Sequence, residues 1–203
     1  VTQKLPAHLP EVEFDYHLPL LSLPRVLGIT VDSLPPPGCL KTCAHSQRVW
    51  RERLQSPYLK VGLVWAGQRL SHPERRSLAL AALAPLSQVP QVQFYSLQKG
   101  PDAIQAQWPP QGMDLLDLSP WLHDWSETAA ALQQLDLLIS IDTGVAHLAG
   151  VLGCPTWLLL PPQADWRWVE TGASSRWYPH HRLYGQDQIA TIMEDLWRRS
   201  TVN

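Results

Sequence analysis

The stretch LDLLISIDTGVAHLAGVLGCPTWLLLP, Leu135 to Pro161, decides the fold. Two apolar runs read as buried strands, and between them lies a short helix that opens on Asp142-Thr143-Gly144 and carries His147. A strand, a helix and a second strand in close succession make a parallel crossover unit. The rest of the chain repeats that unit. The sequence predicts strands over 60–67, 92–100, 136–142 and 155–161, with a further short one over 113–118. It predicts helices over 44–55, 77–88, 125–135, 144–153 and 187–199. Strands alternating with helices mean a sheet covered on both faces, and short all-apolar strands suit that burial. The expected fold class is α/β, doubly wound, with a mostly parallel sheet.

The amino-terminal part, to about Thr42, is Pro-rich, with short apolar patches and no clear helical period. Nineteen prolines in the chain crowd into segments such as LPAHLP, DSLPPPG and QWPPQG, which are expected to be loops or extended connections. Ten tryptophans are many for this length. Several of them (Trp108, Trp121, Trp125, Trp166, Trp168 and Trp177) fall in apparent loops, where they line a ligand cleft or cover the core.

Bulk properties narrow the function. A formal net charge of −2 gives no electrostatic reason to expect nucleic acid or an acidic membrane as partner. No apolar run approaches the ~20 residues of a membrane span, and the amino end does not read as a secretory signal. Three cysteines, Cys39, Cys43 and Cys154, are an odd number spread unlike a disulfide framework, so a cytoplasmic location is expected. Cys39 and Cys43 lack a second ligand pair at zinc spacing, and no metal site is expected. The chain opens on Val1 rather than methionine, which suggests a piece of something longer.

In doubly wound sheets the chemistry sits on turns at the carboxyl ends of the strands. Three such turns are polar: WAGQRLSHPERRS, SLQKG and SIDTGVAH. In the third, Thr143 and Gly144 stand where a helix starts, so their N–H groups are unclaimed at the positive end of its dipole, a ready phosphate site. Gly144 has no side chain to keep an oxygen away. Asp142 suits sugar hydroxyls better than phosphate, and His147 lies about one turn along. The competing explanation is an ordinary helix cap with a core histidine, and Arg75, Arg76 and Lys99 as solvated charges. No G-x-G-x-x-G follows any strand, which argues against a dinucleotide oxidoreductase.

DTGVAHLAGVLGCP resembles the donor-site motif of the bacterial lipopolysaccharide heptosyltransferase family and, more distantly, that of O-linked N-acetylglucosaminyltransferases. FDYHLPLLSLP, VGLVWAG, RRSLALAALAPL, FYSLQKG and DWRW…WYPHHRLY extend the likeness in order along nearly the whole chain. Their pattern is similar to bacterial glycosyltransferase-like proteins that carry tetratricopeptide repeats ahead of such a domain. No ~34-residue period is found in this chain itself.

The resemblance implies a GT-B architecture, two Rossmann-like domains facing across a cleft. Residues 44–203 would be the nucleotide-sugar (donor) half. Residues 1–43 would be the tail of the acceptor-side half and the connection to it. Implied partners are a nucleotide-sugar, an unspecified acceptor (protein, glycan or lipid-linked sugar) and the amino-terminal half of the same protein. No cofactor is implied beyond the donor substrate. The implied activity is metal-independent, inverting sugar transfer by the longer protein, with this chain alone inactive.

By the same resemblance, Asp142 contacts donor sugar hydroxyls, Thr143 and Gly144 hold the pyrophosphate, and His147 sits near it. Arg76 takes the place of a phosphate-neutralising lysine, and Gly67 belongs to the first donor turn. Gln98 and Lys99 stand where heptosyltransferases have an acidic residue that contacts the nucleoside. That departure disfavours ADP-heptose and makes a UDP-sugar at least as good a donor. Asp15 and His17 are the candidates for the catalytic base, although a purely structural role fits them equally. Two other functions fit the same motifs: a non-catalytic nucleotide-sugar-binding module and a nucleotide-sugar 2-epimerase-like enzyme.

Overall fold

Apolar strands such as LKVGLV and LLISI leave no face for water, so they require cover on both sides. A computed structural model, which describes residues 14–33, 40–67, 76–168 and 172–201, supplies that cover. Its six strands are β1 (Leu59–Val64), β2 (Val92–Ser96), β3 (Leu115–Asp117), β4 (Leu137–Ile141), β5 (Thr156–Leu160) and β6 (His181–Gly185). They form one sheet in the order β3-β2-β1-β4-β5-β6, and every neighbouring pair runs parallel. This is the doubly wound order, in which the chain reverses direction across the sheet between β1 and β4.

The α-helices are α1 (Leu23–Val26), α2 (Ala44–Arg53), α3 (Trp125–Leu132), α4 (Gly144–Leu152) and α5 (Ile189–Ser200). One face of the sheet buries Val61, Leu63, Ile139 and Leu159 with Leu83 and Ile192 from the elements above them. The other buries Val64 and Leu138 with Trp50 of α2, Ala130 of α3 and Ala149 of α4. Helix α3 starts on Asp124, whose carboxylate accepts from Glu127 N at 2.9 Å, a regular N-cap. Glu127 then accepts from the buried Trp50 indole N–H at 2.6 Å, which ties α2 to α3. Helix α4 ends on Gly153 in the left-handed conformation, φ 74°, which glycine adopts without a steric cost.

One element refines the expectation from the sequence and another adds to it. Residues 77–88, expected to be helical, form a helix over Leu80–Gln88, and it is of the 3₁₀ type. Pro85, inside it, has no N–H to give and would clash with the carbonyl four residues back in an α-helix. A period of three also lines up Leu80, Leu83 and Leu86 on one edge, and all three are buried. Strand β6 was not anticipated, because His181 and Arg182 interrupt its apolar character. Both are answered by tertiary contacts. His181 Nε2 donates to Ala146 O at 3.1 Å, and Arg182 pairs with Asp195 of α5 at 2.9 Å.

The chain divides into two units, Val1–Leu34 and Pro35–Asn203. The first, expected to be irregular, contains short helical pieces, Leu20–Ser22 (3₁₀), α1 and Val31–Ser33 (3₁₀). Phe14, Tyr16, Leu20 and Leu21 are exposed. The second unit carries the sheet. Among the described residues no helix is long and apolar enough to cross a membrane.

Candidate functional site

A cavity of about 800 Å³ opens at the carboxyl ends of β1, β2 and β4, the place where the strand order reverses. Ligands of doubly wound sheets bind in this crevice. The three turns singled out in the sequence supply part of its polar lining, with Asp102, His123, Asp124 and Thr128 beside them. Gly67 and Arg76 come from the first, Gln98 and Lys99 from the second, and Asp142, Thr143 and Gly144 from the third. Its apolar lining includes Val64, Leu97, Leu122 and Trp125. Arg75 and Cys39 lie outside the described residues.

The start of α4 is the centre of this arrangement. Thr143 occupies the N-cap position with extended backbone, yet no side chain caps the helix. Its hydroxyl instead stands 3.3 Å from Ser140 Oγ. The carboxylate of Asp142 is likewise turned away from the helix amides. Its Oδ1 lies 3.5 Å from His147 Nε2 and its Oδ2 lies 3.9 Å from Arg76 Nη1. An ordinary cap would spend one of these oxygens on the first-turn N–H groups. Here those amides are left to the cavity, at the positive end of the helix dipole.

Asp142 is buried, and burial pushes its carboxyl up. The polar contact with His147, the neighbouring Trp168 indole and the Arg76 guanidinium outweigh burial and leave its pKa lowered. The carboxylate is therefore ionised at neutral pH and accepts hydrogen bonds without donating any.

The neighbouring turns are held by their own bonds. Gln98 is 3 % exposed, and all four bonding positions of its amide are filled by backbone. Its Oε1 accepts from Trp65 N at 3.0 Å and Ala66 N at 2.8 Å. Its Nε2 donates to Ala66 O and Lys99 O, each at 2.9 Å. Gln98 thus borders the cavity as a clamp between the ends of β1 and β2. Lys99 Nζ donates to Ser119 O at 3.0 Å at the exposed rim. Gly67 N donates to Ser77 Oγ at 3.1 Å. Gln186 Nε2 donates to Arg76 O at 2.7 Å, which anchors the backbone beneath that guanidinium.

His147 does not line the cavity. It stands behind Asp142 in an aromatic group that sequence reasoning missed. Its ring stacks on Trp168 at 5.3 Å, and its Nδ1 meets Tyr178 Oη at 3.0 Å. Trp168 stacks in turn on His181, with rings 6.3 Å apart and 4° from parallel. The tryptophans expected in loops therefore divide, and one of them, Trp125, opens helix α3. Trp125 lines the cavity, Trp168 is buried behind Asp142, and Trp108 and Trp166 are exposed. Asp15 and His17 belong to the amino-terminal unit, where both are exposed.

His181 carries a pH signature. Burial, more than the neighbouring His147 and His180, lowers its pKa to about 4 from an ordinary 6.5. Unfolding therefore takes up a proton between those values, so stability is full above pH 6.5 and falls as pH drops toward 4. The loss amounts to roughly 3 kcal/mol. His181→Gln, which retains a donor for Ala146 O, is expected to flatten that part of the curve. Urea denaturation at pH 7, 5.5 and 4.5 checks it; equal slopes for the two proteins would exclude His181 as the source.

No family model matches the chain. Over 166 residues it is 28% identical to Protein FlbA of Caulobacter vibrioides, across 75% of this chain and 26% of that protein. The chain thus spans about a quarter of the length of the curated relative it matches. Among solved structures it superposes on the glycosyl transferase family 9 protein of Veillonella parvula with a TM-score of 0.56 and 14% identity, over 87% of this chain and 58% of that one. At that identity the likeness is one of fold: this chain has the doubly wound, parallel Rossmann-like α/β fold also present in a family 9 glycosyl transferase.

Proposed function

We propose that this chain binds a nucleotide-sugar, and is the donor-binding half of a metal-independent, inverting glycosyltransferase of GT-B architecture. The observation that carries the reading is the uncapped start of α4, which opens on a cavity flanked by Arg76 and Lys99. The diphosphate sits on the amides of Thr143 and Gly144, and Arg76 clamps its oxygens through a planar fork. Asp142, ionised and only able to accept, takes hydrogen bonds from sugar hydroxyls. The nucleoside lies toward Leu97, Leu122 and Trp125. With Lys99 in place of an acidic residue, UDP is at least as good a nucleotide as ADP. Gly67 lets the donor approach the first turn, and Gln98 acts by holding that turn.

In the transfer step an acceptor hydroxyl attacks the anomeric carbon, a base takes its proton, and the nucleoside diphosphate departs. The charge that grows on the leaving diphosphate falls against the α4 dipole and Arg76, where fixed positive charge lowers the barrier. The base comes from the acceptor side, with Asp15 or His17 as this chain's candidates. A chain that holds only the donor half binds without transferring.

Asp142→Asn tests the sugar contact, because it retains size and a carbonyl oxygen but loses the charge that draws hydroxyl donors. Affinity for UDP-N-acetylglucosamine is expected to fall about 10-fold or more, as for a charge-assisted hydrogen bond, with affinity for UDP spared. Calorimetry that finds both affinities equally reduced would contradict that role for Asp142.

A further inference from the structure

A glycine inside a helix is unfavourable unless something needs the space. Gly150 lies within α4, and a Cβ there would stand 2.3 Å from Tyr178 Cγ and 2.4 Å from its Cδ1. The phenol ring occupies the space that a side chain at that position would take. From this seat its hydroxyl reaches His147 Nδ1, 3.0 Å away, one turn back along the same helix. Trp168 stacks on the other part of the imidazole. On its far side the imidazole presents Nε2 to Asp142 Oδ1 at 3.5 Å.

We infer that Tyr178 is a positioning residue: its hydroxyl, seated by Gly150, fixes the His147 imidazole so that Nε2–H faces Asp142 and holds that carboxylate in place for its ligand. The proton count supports this. An ionised carboxylate only accepts, so the nitrogen facing Asp142 carries the hydrogen. In the ring form with its single hydrogen on Nε2, Nδ1 is a bare acceptor, which needs a donor. Tyr178 O–H is that donor, and burial keeps it protonated by raising its pKa. Asp142, His147 and Tyr178 form one chain of polar contacts from the cavity wall into the protein, and Gly150 is the residue that makes room for its inner end. The consequence for ligand affinity rests on the donor-site reading of the cavity; the link between Tyr178 and His147 does not.

Tyr178→Phe keeps the ring over Gly150 and removes only the hydroxyl, so packing alone predicts no change. The 203-residue chain is labelled with ¹⁵N-histidine, and His147 is picked out from the eight histidines by its absence in His147→Gln. In Tyr178→Phe, the His147 Nδ1 signal is expected to move to the position of an acceptor without a donor. Affinity for UDP-N-acetylglucosamine is expected to fall about 3- to 10-fold, the loss of one neutral hydrogen bond, with that for UDP within about twofold. Gly150→Ala, which expels the ring, is expected to give the same two changes. An unmoved His147 signal in Tyr178→Phe overturns the inference. So does a moved signal with no selective loss of the nucleotide-sugar, since the bond would then exist without positioning Asp142. If the unaltered chain binds neither probe, the donor-site reading fails, while the histidine spectrum still decides whether Tyr178 fixes His147.

Discussion

Replacing Arg76 with alanine is expected to weaken binding of UDP by about 10- to 150-fold. A charge-assisted hydrogen bond contributes roughly 1.5–3 kcal/mol, at ~1.4 kcal/mol per factor of ten. Arg76 lines the cavity with its side chain about half exposed, and its backbone is pinned by Gln186. The guanidinium therefore approaches a phosphate without rebuilding the turn. Its contact with Asp142 is 3.9 Å long and its guanidinium is half exposed, so losing it is expected to cost little stability. Melting temperature is expected to stay within a degree or two. Arg76→Lys, which keeps the charge and loses the fork, is expected to fall between the two. Titration calorimetry reads all three proteins. An unchanged affinity for UDP in Arg76→Ala would make this residue a surface charge.

A larger effect is expected at Gly144. Valine there places a branched side chain over the amides at the start of α4, and binding of UDP is expected to drop by about 100-fold or more, the equivalent of losing two charge-assisted hydrogen bonds. The substitution also touches Trp125, because a Cβ on Gly144 would lie 2.9 Å from its Cη2. Trp125 is 60% exposed, so its indole has room to swing aside. Stability is expected to change by no more than the ~0.5–3 kcal/mol usual for a point mutant. Trp125→Ala separates the two effects. If that variant retains UDP and Gly144→Val does not, the loss comes from the covered amides. If both lose binding alike, the indole and not the helix start is the contact that counts.

The strands were legible because burial on both faces leaves a plain mark. LVW, FYS, LLISI and TWLLL are apolar without alternation, and each falls in or beside a central strand. The polar turns that follow were legible for a related reason. In a parallel sheet, groups at successive strand ends converge on one edge, so Arg76, Lys99 and Asp142 line one cavity although 66 positions separate the first from the last. What the sequence hid depends on contacts made only after folding. His181 and Arg182 look unlike a strand until Ala146 O and Asp195 answer them. Residues 80–88 read as helical, and the 3₁₀ type follows from the leucine spacing of three together with Pro85. Gln98 reads as a ligand contact, yet its amide is filled by the backbone of Trp65, Ala66 and Lys99. His147 and Tyr178 lie 31 positions apart, and no local pattern joins them; Gly150, a glycine without a turn, was the one available hint.

The central claim is that nucleoside diphosphate sits on the start of α4, and backbone amide chemical shifts test it most directly. The ¹⁵N-labelled chain titrated with UDP is predicted to show saturable shifts concentrated at Thr143, Gly144 and Val145, with smaller ones at Gly67 and Lys99. In Gly144→Val these shifts are predicted to vanish while the rest of the spectrum keeps its dispersion. Saturable shifts that leave 143–145 untouched, or no saturable shift at millimolar UDP, ADP or GDP, would contradict the account.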